Sequence, residues 1–155
     1  MLKSIVLALA TSLCALPALA HDYTLGNLQI VHPTIPTPAE NAKVAGGFLT
    51  IVNNGAEEDK LLSAKADFAM AQLHKSEVDA SGMAKMTEQE FIAIPANETV
   101  VLEHGGLHVM FMGLTQSLAE GSMVPVTLVF EKAGEITVDF AVEAAAMDHT
   151  MHTNP

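Results

Sequence analysis

From Tyr23 to Val142 the apolar residues come in short runs at every second position, not at the three-to-four spacing of a helix. Val124, Val126, Leu128 and Phe130 fall on one face. Ile136, Val138, Phe140 and Val142 repeat the pattern, and Ala133-Gly134 lies between the two runs, which predicts a hairpin. Further strands are predicted around 25–31, 48–52, 60–64, 71–78, 83–87, 99–103 and 107–112. Turn chemistry separates them at Asn53-Asn54-Gly55, Ser81-Gly82, Pro95-Ala96-Asn97 and Gly105-Gly106. Roughly eight or nine short strands, with no helical pattern of ten residues, predict an all-β domain. The expected architecture is an antiparallel sandwich or Greek-key barrel, with its core between Val44 and Val142.

Three segments stand outside this pattern. Residues 1–20 carry Lys3, an apolar run from Ile5 to Leu13, and Ala18-Leu19-Ala20, the small-residue pattern of an export signal cleaved after Ala20. The run is shorter than the ~20 residues of a spanning helix, so no membrane anchor is expected. Cys14 follows Leu13, where a lipid-attachment signal requires a small residue, so the expectation is a soluble exported protein, periplasmic in location. The second segment, His32 to Pro38, contains Pro33, Pro36 and Pro38, which cannot donate ladder hydrogen bonds and suit an edge or a crossing loop. The third, residues 144–155, lacks any strand pattern and is expected to be a flexible Met- and His-rich tail. The domain itself is then 21–143.

Removing the signal leaves 135 residues, enough for one domain and too few for two. Eighteen carboxylates then face six lysines, with no arginine anywhere. Such a chain repels phosphate backbones and has no guanidinium to grip them, which excludes nucleic acid as a natural partner. The only cysteine departs with the signal. Disulfides, thiolate nucleophiles, Cys-x-x-Cys redox chemistry and the blue-copper ligand set go with it. No serine-hydrolase pattern and no carboxylate pair suited to acid–base work is evident, so the chain is not read as an enzyme.

What remains is sulfur from methionine and nitrogen from histidine. On a strand, side chains two apart share a face, so His108 and Met110 are placed to hold one ion together while Val109 and Phe111 enter the core. Met86 follows the Ser81-Gly82 turn and His74 precedes it, so a hairpin over 71–87 brings an imidazole and a thioether together beside them. Neutral imidazole and thioether suit the soft, closed-shell ion Cu(I), whereas Mg and Ca prefer oxygen. Methionine is also an ordinary core filler, and Met70, Met83 and Met123 are assigned to packing. His104 and Met112 share parity with His108 and Met110 and stand as alternative ligands.

The chain resembles the PCuAC family of periplasmic copper(I) chaperones, whose signature is His, an optional Met, ten residues, Met, twenty-one residues, then His-x-Met. Here His74 and Lys75 are followed by ten residues from Ser76 to Lys85, Met86, twenty-one from Thr87 to Leu107, and His108-Val109-Met110. Similarity extends through Gly46-Gly47-Phe48-Leu49-Thr50, Met112-Gly113-Leu114, Pro125-Val126-Thr127-Leu128 and Phe130-Glu131-Lys132-Ala133-Gly134. Lys75 replaces the optional Met, and His32-Pro33-Thr34-Ile35-Pro36 lacks the aromatic and Arg that often follow His-Pro in the family. The resemblance implies a cupredoxin-like fold and Cu(I) held by His74, Met86, His108 and Met110. It also implies delivery to a receiver, either the CuA centre of cytochrome c oxidase or another periplasmic copper chaperone. Only the imidazoles among these ligands titrate, ordinarily near pH ~6.5, so affinity is expected to be flat above neutral pH and to fall in acid.

Two further donor sets are visible. Met147, His149, Met151 and His152 alternate in the tail, where they form a second candidate site for copper, including Cu(II) through the histidines. His21 becomes the amino terminus after cleavage, and its amine and ring resemble the clamp of copper monooxygenases. That makes a copper-dependent oxidative enzyme the sharp alternative, with a copper storage or tolerance protein and a metal-free protein-binding sandwich as the others.

Overall fold

The computed structural model describes residues 21–145. Eleven strands form one mixed sheet: β1 (Tyr23–Leu25), β2 (Leu28–Pro36), β3 (Val44–Asn53), β4 (Asp59–Lys65), β5 (Met70–Val78), β6 (Ala84–Glu88), β7 (Ile92–Ile94), β8 (Thr99–Leu102), β9 (Leu107–Met112), β10 (Met123–Phe130) and β11 (Gly134–Glu143). Their order is β6-β5-β9-β3-β2-β11-β10-β4-β7, with β1 on β2 and β8 on β3, so the sheet runs between two free edges and does not close.

Strand β3 divides the molecule. Its first half, Val44 to Gly47, pairs with β9, and its second half pairs with β2 and β8. The sheet thus folds into a small layer, β6-β5-β9 with the start of β3, and a larger layer containing the rest. Alternation decides which side chains lie between them: Ala45, Leu49 and Ile51 of β3, Val109 and Phe111 of β9, and Leu73 of β5 are buried. Phe111 meets Phe68 at 5.2 Å between ring centroids and Phe140 of the large layer edge-on at 5.9 Å. Gly47 makes this approach possible, because a Cβ there would lie 2.6 Å from Phe111 Cε2 and 3.0 Å from Phe140 Cε1.

The hairpin over 124–142 and the strands at 48–52, 60–64, 71–78 and 107–112 form as the alternation predicts, each within a few residues of its observed ends. The structure differs at five points. The expected strand over 25–31 is a hairpin, β1 turning into β2 at Gly26-Asn27, and β7 is an additional short strand; three residues are too few to carry a periodic signal. The prolines of 33–36 lie inside β2, which is paired on both sides, not at an edge or in a crossing loop. A bulge explains this: the β2–β3 register shifts between Val31 and Thr34, and His32 adopts φ 49°, so the ladder is already broken where Pro33 has no N–H to give. The pairing is also not wholly antiparallel, since β11 runs parallel to β2 over Thr34–Pro36. Periodicity specifies a strand and its buried face but not its neighbour, and the chain between β2 and β11 is ample for the crossover a parallel pair needs.

Finally, Met70, Met83 and Met123 do not serve as core packing. They are 63%, 67% and 40% exposed, because each sits on an outward-facing or end position of its strand or turn.

Candidate metal centre

The outer face of the small layer carries the chemistry. Val109 and Phe111 point inward, so His108, Met110 and Met112 point outward, and His74 and Gln72 of β5 share that face. The antiparallel register sets His74 directly opposite His108 and Gln72 directly opposite Met110. The two imidazole rings lie 5.9 Å apart between centroids. On the other side of β5, Ser76 pairs with Met86, which puts that thioether on the same face and one diagonal step from His74.

The hairpin that carries Met86 is closed by its own turn. Asp79 Oδ1 accepts the amides of Ser81 at 2.8 Å and Met83 at 3.0 Å, and Met83 O accepts the Asp79 amide at 2.9 Å. The Ser81 hydroxyl, followed by these amides, holds the Asp79 carboxyl below its ordinary pKa. β6 is an edge strand with all its residues exposed, and Met86 is 48% exposed.

His108 is only 5% exposed although it lies on an outer face. The Phe48 ring stands 6.3 Å from it and 6.3 Å from His104. Gly46, opposite Met110, leaves space for that ring: a Cβ there would meet Phe48 Cζ at 3.0 Å. A groove of about 700 Å³ opens along this face, bordered by Met86, His108, Met110, Phe48, His104 and Val44.

His108 Nδ1 lies 3.1 Å from the Gly106 carbonyl, and His74 Nε2 lies 3.0 Å from Gln72 Oε1. The other nitrogen of His74, Nδ1, is buried with no hydrogen-bond partner. Buried polar atoms are normally satisfied, so an orphaned ring nitrogen opposite a second imidazole marks a place for an acceptor-seeking ligand such as a metal ion. Among the described residues no three His, Cys, Asp or Glu side chains cluster as a cage. Two nitrogens with thioethers beside them make a donor set for a soft ion, not for one that wants oxygen.

The structure therefore brings His74, His108 and Met110 onto one patch and sets Met86 at its edge. Of the alternative ligands, Met112 lies two same-face steps from His108, opposite Met70, and does not border the groove. His104 borders it from a turn beyond the Phe48 ring. His21 is exposed at the start of the described residues. Met147, His149, Met151 and His152 lie outside the described residues, as do residues 1–20, where an export signal is expected, and all but the first two residues of 144–155. Sequence reasoning missed Gln72 and Phe48. The sign of the first was its position two residues before His74, and of the second the Gly-Gly pair that precedes it.

The LpqE-like family model matches residues 28–142. Among solved structures, a copper-bound PCuAC domain from PmoF2 is 32% identical with a TM-score of 0.69, over 80% of this chain and 98% of that one. The chain belongs to the PCuAC family. An apo PCuAC domain from PmoF1 is similar at 32% identity and a TM-score of 0.71, over 80% of this chain and 99% of the other. The Cu(I) form of DR1885 from Deinococcus radiodurans is 25% identical with a TM-score of 0.61, over 81% of each chain. A search among curated proteins finds no match. The all-β, cupredoxin-like fold of the family is thus the fold of this chain.

Proposed function

We propose that this PCuAC protein is an exported copper chaperone that holds Cu(I) between His74, Met86, His108 and Met110 and passes it to a receiver. The observation that carries the reading is the orphaned, buried Nδ1 of His74, on an imidazole directly paired with His108. The copper-bound PmoF2 domain and the Cu(I) form of DR1885 support the choice of metal.

The ligand set suits transfer. Thioethers are neutral, so a receiver's thiolate displaces them without a proton having to arrive first. Met86, half exposed on an edge strand, is the ligand a receiver reaches first. His108, nearly buried behind Phe48, is the one that retains the ion longest. The receivers that fit are the CuA domain of cytochrome c oxidase or another periplasmic copper chaperone. The LpqE-like family is described as lipoprotein, which supports export, while the Leu13-Cys14 and Ala18-Leu19-Ala20 sequences favour cleavage after Ala20 without lipid. Among the described residues no helix is long and apolar enough to cross a membrane.

The test is anaerobic loading with Cu(I), in parallel with Cu(II) and Zn(II), followed by incubation with an apo CuA domain. One tightly held Cu(I) that moves to the CuA domain is expected. Retention of Cu(I) in its presence indicates storage, and a preference for Zn(II) contradicts the reading.

A further inference from the structure

The hydrogen bonds around the two imidazoles differ in which nitrogen they occupy. For His108, Nδ1 faces the Gly106 carbonyl at 3.1 Å, and a carbonyl only accepts, so Nδ1 carries the proton and Nε2 is left with its lone pair. That carbonyl also accepts the Ser76 amide at 2.9 Å, which ties it into the β5–β9 ladder. For His74 the occupied atom is Nε2, 3.0 Å from Gln72 Oε1, and the free one is the buried Nδ1. With Oε1 as acceptor, Nε2 carries the proton and Nδ1 is unprotonated. The reverse arrangement would put the proton on Nδ1 and leave no lone pair there for a metal.

We infer that Gln72 is a positioning residue of the copper site: it fixes the Nε2–H tautomer of His74, so that His74 binds through Nδ1 while His108 binds through Nε2. The inference rests on the copper reading above and adds to it a residue outside the ligand signature. Metal-bound imidazoles usually donate their other N–H to a carbonyl or carboxylate, which fixes the ring and strengthens it as a donor, and loss of that partner weakens metal binding by about 10–100-fold. In this site one partner is backbone and cannot be lost by substitution. The other is a single side chain. Gln72 also faces Met110 across the strand pair, so the same amide borders a thioether ligand position.

The experiment combines long-range ¹H–¹⁵N imidazole spectra with Cu(I) competition titration for the wild type, Gln72→Leu and Gln72→Glu. Spectra of the apo protein above neutral pH should show His74 protonated on Nε2 and His108 on Nδ1. In Gln72→Leu, His74 should become a tautomer mixture and Cu(I) affinity should fall about 10–100-fold. His108 should stay unchanged, since its partner is the Gly106 carbonyl, and this serves as the internal control for folding. Gln72→Glu keeps an acceptor oxygen and should restore both the tautomer and the affinity. In the Cu(I)-loaded wild type, which is diamagnetic, the nitrogen shifted by the metal should be Nδ1 of His74 and Nε2 of His108.

An apo wild type with His74 protonated on Nδ1 overturns the inference. So does a Gln72→Leu variant in which affinity is unchanged, whatever its tautomer. A wild type that shows the expected tautomers yet binds no Cu(I) instead overturns the copper reading on which the inference stands, and the apo spectra separate the two failures.

Discussion

Gly46 and Gly47 are adjacent, but alternation sends them to opposite faces of β3, so adding one methyl group at each interrogates the core and the site separately. A Cβ at position 47 would lie 2.6 Å from Phe111 Cε2 and 3.0 Å from Phe140 Cε1, two fully buried rings packed edge to face. Neither ring has space to retreat. Overpacking of this kind costs about 1–3 kcal/mol. Alanine in a strand recovers about 0.5–1 kcal/mol of backbone entropy relative to glycine. With rings of this size fully enclosed, the net for Gly47→Ala is a loss on the order of 2 kcal/mol, which for a domain of this length lowers the melting temperature by roughly 6–10 °C. At position 46 the nearest atom is Phe48 Cζ at 3.0 Å, the tip of a half-buried ring beside an open groove. The ring can swing away, so Gly46→Ala should change stability by less than about 1 kcal/mol. That same ring stands against His108, and Cu(I) affinity should weaken by up to about tenfold, the low end of outer-shell effects. Thermal unfolding of the apo variants by circular dichroism, with Cu(I) competition titration, measures both. If Gly46→Ala is the more destabilising variant, or if Gly47→Ala is neutral, the assignment of faces on β3 is wrong.

Two other outcomes follow from the hairpin and from the tail. Asp79→Ala removes the acceptor of the Ser81 and Met83 amides, so the β5–β6 turn should loosen and Cu(I) affinity should fall severalfold with little change in global unfolding; hydrogen exchange of β6 amides locates the effect. Because the folded-state pKa of Asp79 is depressed, its stabilisation of the turn is present above its ordinary value near 3.8 and is lost as pH falls through the lower folded-state value. Loss of β6 protection, taken relative to the intrinsic exchange rate at each pH, should therefore appear in the wild type only at strongly acid pH, and if it sets in at neutral pH the role given to Asp79 fails. Deleting residues 147–155 should leave one Cu(I) bound and, if the tail captures metal, slow the loading or remove a Cu(II) equivalent; unchanged stoichiometry and rate for both oxidation states would remove the tail from the account.

Much of the fold was legible because alternation is a direct consequence of strand geometry. The 108-109-110-111 run predicted both the inward Val109 and Phe111 and the outward His108 and Met110, and the structure has that arrangement. The Ser81-Gly82 turn likewise placed Met86 across from β5. Neighbour relations were not legible. No local signal says that His74 lies opposite His108, or that β2 meets β11 in parallel, since both depend on the path of the whole chain. The prolines of β2 depart from the expected edge or crossing loop for a related reason: the rule that keeps proline from paired strands has its exception at bulges, and a bulge is visible only once the partner strand is known. Gln72 escaped notice because its role lies in a hydrogen bond to a ring nitrogen, which residue spacing does not encode.

In the proposed site two imidazoles and two thioethers share one Cu(I). X-ray absorption at the copper edge on the Cu(I)-loaded protein tests it most directly, because nitrogen and sulfur scatter at distinct distances. Two sulfur and two nitrogen neighbours are expected in the wild type, with a sulfur contribution that shrinks in Met86→Leu and again in Met86→Leu/Met110→Leu. A spectrum without sulfur, or one that these substitutions leave unchanged, contradicts it.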